Sequence, residues 1–365
     1  EASLVAKLFD QLGFEYQQEA GRFVVTPPSY RFDIEREEDL IEEIARLHGY
    51  DNIPAIAPVA DLRMLPDSEA QTSRYVLQDT LVAKGYQEVV TYSFVDESWE
   101  RDLLGNANPI KLKNPIASNM SVMRSGLWGG LLDALVYNLN RQQTRARLFE
   151  IGAVYSKAQA GYQETTRISG LAYGDASPEQ WGEAARAVDF YDVKADVDAL
   201  TGGRAEYRTA QHPALHPGQC AEVVLNGKAI GFIGKLHPKW QQTYQLPKGA
   251  VLFELNLAPL QVGSVASYQE VTKFPPVRRD MAVLVDEKVS AGDLLAAMQQ
   301  AQVPFVTEIG LFDVYRGKGV PENQKSLAFM VMMQDSQKSM VDADADKAMA
   351  TLLEVVQKSH GAALR

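Results

Sequence analysis

Cysteine is nearly absent from this sequence, which has Cys220 alone among 365 residues. A lone cysteine excludes a disulfide bond within the chain, and so few thiols are typical of proteins in a reducing compartment. Long apolar runs are also missing, because none reaches the ~20 residues that a membrane-spanning helix needs. The chain begins with Glu1 rather than Met and shows no signal-peptide pattern. We therefore expect a cytoplasmic protein without a membrane segment, from which a preceding part has been removed.

Sequence patterns that carry catalysis are scarce as well. No glycine-rich loop of the kind that cradles phosphates occurs. Cys220 has no thiol partner and is expected to pack in the core. His212, His216 and His237 lie next to or near prolines, where loop positions are expected rather than metal ligands. These absences favour a chain with no catalytic residue of its own.

Positive charge is in short supply, because 36 Lys and Arg residues face 47 Asp and Glu residues and the net charge is −11. The deficit is uneven, since residues 1–60 contain 12 acidic and 5 basic side chains. The remainder is close to balanced. Any bound RNA is therefore expected after residue 60, where basic groups can cluster.

Hydrophobic periodicity sets an N-terminal and a C-terminal region apart from the centre of the chain. In the first, a helix from Leu4 ends at Gly13, a strand covers residues 23–25, and an acidic helix ends at Gly49. Three prolines without a helical period predict a linker over 52–66. The last hundred residues follow the order β-α-β-β-α-β, which is typical of a ferredoxin-like unit. Its predicted strands are 281–285, 308–316, 325–334 and 362–365, and its helices are 290–301 and 342–359.

The central region mixes helices with strands joined by short turns, which favours an α+β domain on an antiparallel sheet. A hairpin is predicted over 219–238, because Asn226-Gly227 is a strong signal for a two-residue turn. The other predicted strands are 88–96, 145–155, 165–174 and 251–260, and the helices are 69–84, 127–139 and 190–200. Val76, Leu77 and Leu81 are expected to face inward from the first helix.

Like charge is concentrated at the start of residues 31–50, RFDIEREEDLIEEIARLHGY. At 100° per residue, Asp39, Glu42 and Glu43 share the face opposite the apolar side of the helix. Neighbouring like charges at this spacing each cost about 0.2–0.5 kcal/mol. Asp33 lies just before the helix, where the chain can fold back, and four such oxygen ligands suit a divalent cation such as Mg²⁺. The alternative is that these carboxylates simply face water.

The segment PPSYRFDIEREEDLIEEIARLHGYDNIP, residues 27–54, resembles the B5 domain of the bacterial phenylalanine–tRNA ligase β-subunit family. The positions that fill the family's pattern are Pro28, Arg31, Asp33, Asp39, Leu40, Glu42, Glu43, Gly49, Tyr50 and Asp51. The resemblance implies one Mg²⁺ ion bound by Asp33, Asp39, Glu42 and Glu43. It also implies that the B5 domain is cut at its start.

The resemblance to this family extends along the chain. The central segments VVTYSFVD, ARLFEIGAVY and GFIGKLHPKW are similar to the family's class II synthetase-like domain, which lacks catalytic function. The segments FPPVRRD, LFDVYRGKGV, KSLAF and GAALR are similar to its ferredoxin-like anticodon-binding domain. The implied domains are a truncated B5 domain at 1–58, a non-catalytic class II-like core at 59–266, and an anticodon-binding domain at 267–365.

RNA contacts are expected from two short groups in the last domain, which combine cations with aromatic rings. The first group is Lys273, Phe274, Arg278 and Arg279, and the second is Tyr315, Arg316, Lys318 and Lys325. In a split βαβ sheet we expect the start of the first strand to lie near the turn after Tyr315, which would make one basic patch. The alternative is ordinary solvated loop charge.

Three functions remain open from the sequence. The resemblance implies a non-catalytic subunit that packs on the catalytic α subunit in an (αβ)₂ heterotetramer and binds tRNA(Phe), with ATP bound mainly by the partner. A second possibility is an autonomous ATP-dependent ligase, because Arg147-Leu148-Phe149-Glu150 has the arginine-x-x-glutamate form of a class II motif. No arginine accompanies Gly231 and Gly234, which a glycine hairpin explains better than a second ATP motif. The third possibility is a scaffold that binds protein only.

Overall fold

The computed structural model describes residues 1–64, 68–263, 265–268 and 271–365. The chain divides into two compact units, residues 1–66 and 67–365, which are taken separately. Across the described residues, no helix is both long and apolar enough to cross a membrane.

The first unit packs two helices against a two-stranded hairpin around Phe9, Phe14 and Ile34. Its elements are α1 (Ala2–Leu12), β1 (Glu15–Glu19), β2 (Arg22–Thr26) and α2 (Glu37–His48). The predicted helix end at Gly13 is confirmed, and this residue has the left-handed φ of 67° that glycine adopts without strain. Strand β1 is not predicted by the sequence, because EYQQE is mostly polar.

The predicted linker at 52–66 agrees with the structure over residues 54–64, which contain neither helix nor strand, whereas Asn52 is the last residue of a 3₁₀ helix. Its last two residues, including Pro66, lie outside the described residues.

The central region forms a seven-stranded sheet in the order β3-β7-β8-β12-β11-β10-β9, and a small sheet in the order β4-β6-β5. Its elements are α3 (Arg74–Ala83), β3 (Gln87–Glu88), β4 (Phe94–Val95), β5 (Ile110–Lys111), β6 (Val122–Met123), α4 (Trp128–Leu139), β7 (Ala146–Ala158), β8 (Gly161–Tyr173), α5 (Phe190–Thr201), β9 (Glu206–Thr209), β10 (Leu215–Leu225), β11 (Lys228–Leu236), α6 (Pro238–Thr243), β12 (Val251–Asn256) and α7 (Leu257–Leu260). All neighbours in the large sheet are antiparallel except β3 and β7. The predicted α+β class is confirmed.

The large sheet is covered on both faces. Helix α4 packs over Leu148, Leu171 and Leu252, which share one face. Helices α3 and α5 pack over Phe149 and Phe253 on the other. Because successive side chains of a strand point to opposite faces, the apolar residues of β7 supply both cores.

Four central predictions need correction. The strand predicted over 251–260 ends at Asn256, and residues 257–260 form α7 instead. The strand predicted over 88–96 is reduced to β3 and β4, and Val90 and Tyr92 between them are exposed. The helix predicted from residue 69 begins at Arg74, after an N-cap at Ser73. Val76 is exposed on this helix, whereas Leu77 and Leu81 are buried as expected.

The C-terminal region has the predicted β-α-β-β-α-β order, with its sheet in the order β14-β15-β13-β16. Its elements are β13 (Val277–Asp286), α8 (Ala291–Gln300), β14 (Val306–Tyr315), β15 (Gln324–Met333), α9 (Asp342–His360) and β16 (Ala363–Leu364). Helices α8 and α9 pack on one face of this sheet, over Val283, Phe329 and Val331. We call the opposite side, which carries Arg278, Phe312 and Tyr315, the open face.

Candidate RNA interface and carboxylate cluster

Arginines hold the carboxylates that the sequence assigns to a metal. Arg31 Nη2 lies 2.8 Å from Asp33 Oδ2 and 3.2 Å from Glu43 Oε1. Arg46 Nη2 lies 2.6 Å from Glu43 Oε2. Hydrogen bonds from Arg46 and then Arg31 hold the pKa of Glu43 below its usual value, and the Arg31 guanidinium does the same to the pKa of Asp33. Arg31 is therefore the cation that these two carboxylates share.

Asp39 caps the start of α2. Its Oδ2 accepts hydrogen bonds from the backbone N–H groups of Glu35 and Arg36, at 2.9 and 2.8 Å. These bonds lower the pKa of Asp39. Donors at a helix start have no partner within the helix, so a side chain that accepts from them stabilises the end.

The four predicted ligands do not form a metal site in this arrangement. Asp33 and Glu43 meet through Arg31, Asp39 caps the helix, and the Glu42 side chain has no hydrogen-bond partner within the described part of the chain. Among the described residues, no group of three or more His, Cys, Asp or Glu side chains is placed to hold a metal ion. Magnesium binding by these residues stays a prediction. The sequence pattern includes Arg31, but its proximity to Glu43 depends on the fold.

The two predicted RNA-binding groups lie at opposite ends of the terminal sheet. Val277, at the start of β13, pairs with Met333, whereas Asp286 at its end pairs with Gln324. The turn after Tyr315 leads into Gln324 and therefore lies at the end of β13. Nine residue steps of about 3.4 Å separate the two ends by roughly 30 Å. The expectation of one patch is wrong, because β15 runs antiparallel to β13.

In the first group, two neighbouring arginines lie on opposite sides of the sheet. Arg278 Nε donates to Asp280 Oδ1 at 2.9 Å and its guanidinium lies over the Phe312 ring, 5.6 Å from the centre. Arg279 Nη2 lies 2.5 Å from the carboxylate of Asp342, at the start of α9 on the helix side.

The remaining residues of the first group are Lys273 and Phe274. Lys273 Nζ lies 5.8 Å from the centre of the Phe274 ring. The Phe274 backbone is fixed, because its carbonyl accepts a hydrogen bond of 2.6 Å from Gln334 Nε2. The Phe274 ring is half-buried, so only part of it can stack on a base.

The three cations of the second group differ in their exposure and in whether they already have a partner. Arg316 makes a forked contact with Glu287, in which Nη2 lies 2.5 Å from Oε1. Lys325 is only 9% exposed and its Nζ donates to the Glu287 carbonyl at 2.8 Å, so it is poorly placed for a phosphate. Lys318 is exposed, and no side-chain partner for it occurs among the described residues. Lys318 is thus the best placed of the three for an RNA phosphate.

The open face also carries Phe312 and Arg365, which the sequence does not single out, beside the predicted contact Tyr315. Phe312 is 54% exposed and Tyr315 is 37% exposed. The guanidinium of Arg365 lies over Tyr315, 4.8 Å from the ring centre, and its Nη1 donates to Ser326 Oγ at 3.4 Å. Phe312 and Arg365 lie within the LFDVYRGKGV and GAALR segments, so the motifs were visible. The pairing of each ring with an arginine cannot be predicted from the sequence.

Arg147, the candidate for an ATP-binding arginine, is held inside the central region. It is 9% exposed, and its Nη1 lies 2.8 Å from Asp196 Oδ2. Glu150, its partner in the proposed motif, is three residues away and therefore on the opposite face, where it pairs with Arg124 at 2.8 Å. The two motif residues do not converge on one site.

The predicted glycine hairpin is confirmed at β10 and β11. Asn226 and Gly227 have the positive φ values, 51° and 76°, of a tight two-residue turn. A Cβ atom at Gly231 would lie 1.9 Å from the Glu254 carbonyl oxygen, so glycine permits the close approach of β11 and β12.

Three family models match the chain. They are the Phenylalanyl tRNA synthetase beta chain CLM domain at residues 53–257, the Ferredoxin-fold anticodon binding domain at 272–365 and the tRNA synthetase B5 domain at 1–50. These matches agree with the predicted order of a B5, a central and a ferredoxin-like domain.

Curated relatives give the same result. The chain is 51% identical over 365 residues to the phenylalanine–tRNA ligase beta subunit of Chromobacterium violaceum, covering 100% of this chain and 46% of the relative. It is 48% identical over 362 residues to the corresponding subunit of Nitrosospira multiformis, covering 99% of this chain and 46% of the relative. The chain thus spans about half the length of the curated relatives it matches.

Proposed function

This chain belongs to the phenylalanyl-tRNA synthetase β-chain family, and we propose that it is a non-catalytic part of phenylalanine–tRNA ligase that binds tRNA during charging. In this proposal a catalytic α subunit activates phenylalanine with ATP and makes most of the contacts with the nucleotide. The two subunits associate as an (αβ)₂ heterotetramer in the cytoplasm. Both relatives are phenylalanine–tRNA ligase beta subunits, which supports the assignment.

The position of Arg147 carries the non-catalytic part of the proposal. A guanidinium that stabilises ATP phosphates must be free to approach them in a preorganised site. Arg147 instead pairs with Asp196 under α5, and the hydroxyl of Tyr86 also donates to Asp196 Oδ2 at 2.9 Å. Burial, together with the Asp196 charge, raises the pKa of Tyr86 above its usual value. A structural role explains this network.

The open face of the C-terminal sheet supports the tRNA part of the proposal. Single-stranded loops of RNA offer unstacked bases, which stack on aromatic rings, and phosphates, which pair with cations. Phe312 beside Arg278 and Tyr315 beside Arg365 supply both kinds of group in pairs. We propose these four residues as RNA contacts, together with Lys318 at the adjoining turn. Lys273, Phe274 and Arg316 stay in the proposed set, and Arg279 and Lys325 are the least suited to it.

Magnesium use by the whole ligase belongs to the proposal, but the ion's position in this chain is a separate question. If Mg²⁺ binds at Asp33 and Glu43, it must compete with Arg31 for the same carboxylates. No step of the proposed function depends on an ion here.

Phenylalanine-dependent exchange of pyrophosphate into ATP tests the proposal. The chain alone should show no exchange, whereas addition of the α subunit should give it. Exchange by the chain alone, lost on Arg147→Ala, would overturn the non-catalytic role and support an autonomous ligase. Co-purification of the chain with the α subunit is the matched test of association.

A further inference from the structure

Three glutamates lie in one row across the large central sheet. Pairing of neighbouring strands aligns Glu222 with Phe232, Phe232 with Glu254, and Glu254 with Ser169. Ser169 is aligned in turn with Glu150. Residues paired in this way point to the same face of a sheet, which here is the face that α4 covers. The row therefore brings three negative charges onto one surface.

Two of the three carboxylates are neutralised. Glu150 pairs with Arg124 at 2.8 Å. Glu254 pairs with Arg167 at 2.5 Å and also accepts a hydrogen bond of 2.7 Å from the N–H of Leu127, before α4.

Glu222 differs from the other two glutamates. It is half-buried, and within the described ranges its carboxylate has neither a hydrogen bond nor an ion pair. The row continues to Arg208 on β9, which is aligned with Glu222 but pairs with Glu206 at 3.1 Å. A charge withdrawn from water without a partner costs free energy, so the unpaired Glu222 carboxylate favours a bound cation.

A cavity of about 400 Å³ lies beside Glu222. Its volume is in the range of small-molecule sites. The lining includes the rings of Trp128, His212 and Phe232, in which His212 is 4.8 Å from Trp128 and 5.2 Å from Phe232 between ring centres. Aromatic walls beside a carboxylate are well suited to an ammonium group, which is attracted to ring faces.

The cavity also offers hydrogen-bond donors. His212 Nδ1 accepts the Ala214 N–H at 3.1 Å, so Nε2 carries the ring proton. Burial, with a smaller contribution from Arg167, lowers the pKa of His212 to about 4, so this side chain is a neutral donor at neutral pH. Arg167 Nη1 is bonded to Glu254 and to the Ser125 carbonyl, while its Nε is buried without a partner in the described structure.

We propose that this cavity binds a small zwitterionic amino compound. Its ammonium group pairs with Glu222 against the aromatic walls, and its carboxylate is held by Arg167 and His212. Of the charged residues that line the cavity, Glu254 is paired with Arg167, so Glu222 is the carboxylate left for the ligand's ammonium group.

The sheet also sets the length of this ligand. Glu222 and Arg167 lie on β10 and β8, which are three strand spacings of about 4.8 Å apart. Both side chains extend into the cavity and shorten that span. It still favours a ligand whose ammonium and carboxylate are separated by several bonds over an α-amino acid, in which one carbon separates them.

Calorimetric titration of the 365-residue chain tests this proposal with four probes: 5-aminovalerate, glycine, pentylamine and valerate. We expect 5-aminovalerate to bind at least about tenfold more tightly than the other three, since each of those lacks one charge or the spacing. Equal affinity for 5-aminovalerate and pentylamine would overturn the zwitterion assignment. No saturation by 5-aminovalerate at about 10 mM would overturn the site.

Glu222→Gln gives the residue-level test. This nearly isosteric change should weaken 5-aminovalerate at least about tenfold. Glu164→Gln is the control, because it removes the same charge from an exposed position of β8 outside the cavity lining. Unchanged binding by Glu222→Gln would overturn the role of Glu222. If that variant fails to fold, the probe series on the unchanged chain decides the proposal alone.

Discussion

The guanidinium of Arg365 lies 4.8 Å from the centre of the Tyr315 ring, across the open face of the C-terminal sheet. The neighbouring pair of Arg278 and Phe312 repeats the arrangement at 5.6 Å. A ring beside a guanidinium presents a surface for a base and a cation for a phosphate in one place. Each pair can therefore be tested separately for stacking and for charge.

Removal of the rings tests stacking. Phe312→Ala and Tyr315→Ala should each weaken tRNA binding by about 1–3 kcal/mol, because one stacked base is lost, while the salt dependence stays nearly unchanged. Filter binding of tRNA at fixed salt measures the effect. Tyr162→Ala is a control at an exposed tyrosine of the central sheet. Equal losses for Tyr162→Ala and Tyr315→Ala would show that the effect is not specific to the open face.

Arg31→Ala tests which cation the first carboxylates share. Because Arg31 holds Asp33 and Glu43, the unchanged chain should take up Mg²⁺ weakly there, and the variant should bind it more tightly by calorimetry. Arg22→Ala removes an exposed arginine from β2 of the same unit and should behave like the unchanged chain. Tight Mg²⁺ binding by the unchanged chain that is lost on Glu42→Ala would instead support the four-carboxylate site.

The stability of α2 should depend on pH in the acidic range. The pKa of Glu43 is lowered from 4.5, chiefly by Arg46 and then Arg31. A carboxyl with a lowered pKa in the folded state stabilises it fully above its unfolded pKa, and this stabilisation is lost as the pH falls through the lowered value. Exchange protection of the α2 amides, corrected for the intrinsic effect of pH, should therefore fall as the pH drops below 4.5. Glu43→Gln should reduce that dependence, leaving the part due to the Asp39 cap, and an equal fall in both proteins would contradict the role of Glu43.

Arg147→Ala should destabilise the central region. It leaves Asp196 buried without its main partner, and loss of one member of a buried ion pair costs about 3–5 kcal/mol. Urea unfolding measures the change. A double variant, Arg147→Ala with Asp196→Ala, should recover part of the loss, because the unpaired charge is gone. No loss of stability in the single variant would contradict a structural role for Arg147.

Local turn chemistry made much of this fold predictable from sequence. Gly13 and Gly49 end helices and Asn226-Gly227 turns a hairpin, and each signal lies within a few residues of the structure it produces. The β-α-β-β-α-β order of the last region follows from hydrophobic periods in the same way. Strand β1 escaped prediction because a polar strand at a hairpin has no apolar alternation to detect.

The candidate sites were less predictable, because they depend on contacts distant in sequence. Arg31 reaches Glu43 only after the chain folds back beside α2. The two predicted RNA-binding groups are separated because the register places Val277 opposite Met333. Spacing along the chain identified the residue types, whereas the pairing of strands decided which of them meet.

Arg278 and Arg279 provide the most direct test of the central claim, that this chain binds tRNA through the open face. They are adjacent in sequence, but Arg278 lies over Phe312 and Arg279 is tied to Asp342 on the helix side. Filter binding of tRNA(Phe) across a salt series should show affinity falling as salt rises. Arg278→Ala should reduce the slope of log affinity against log salt by about one, and Arg279→Ala should leave it unchanged. Equal slopes for all three proteins, or no tRNA binding, would contradict the account and favour a protein-only scaffold.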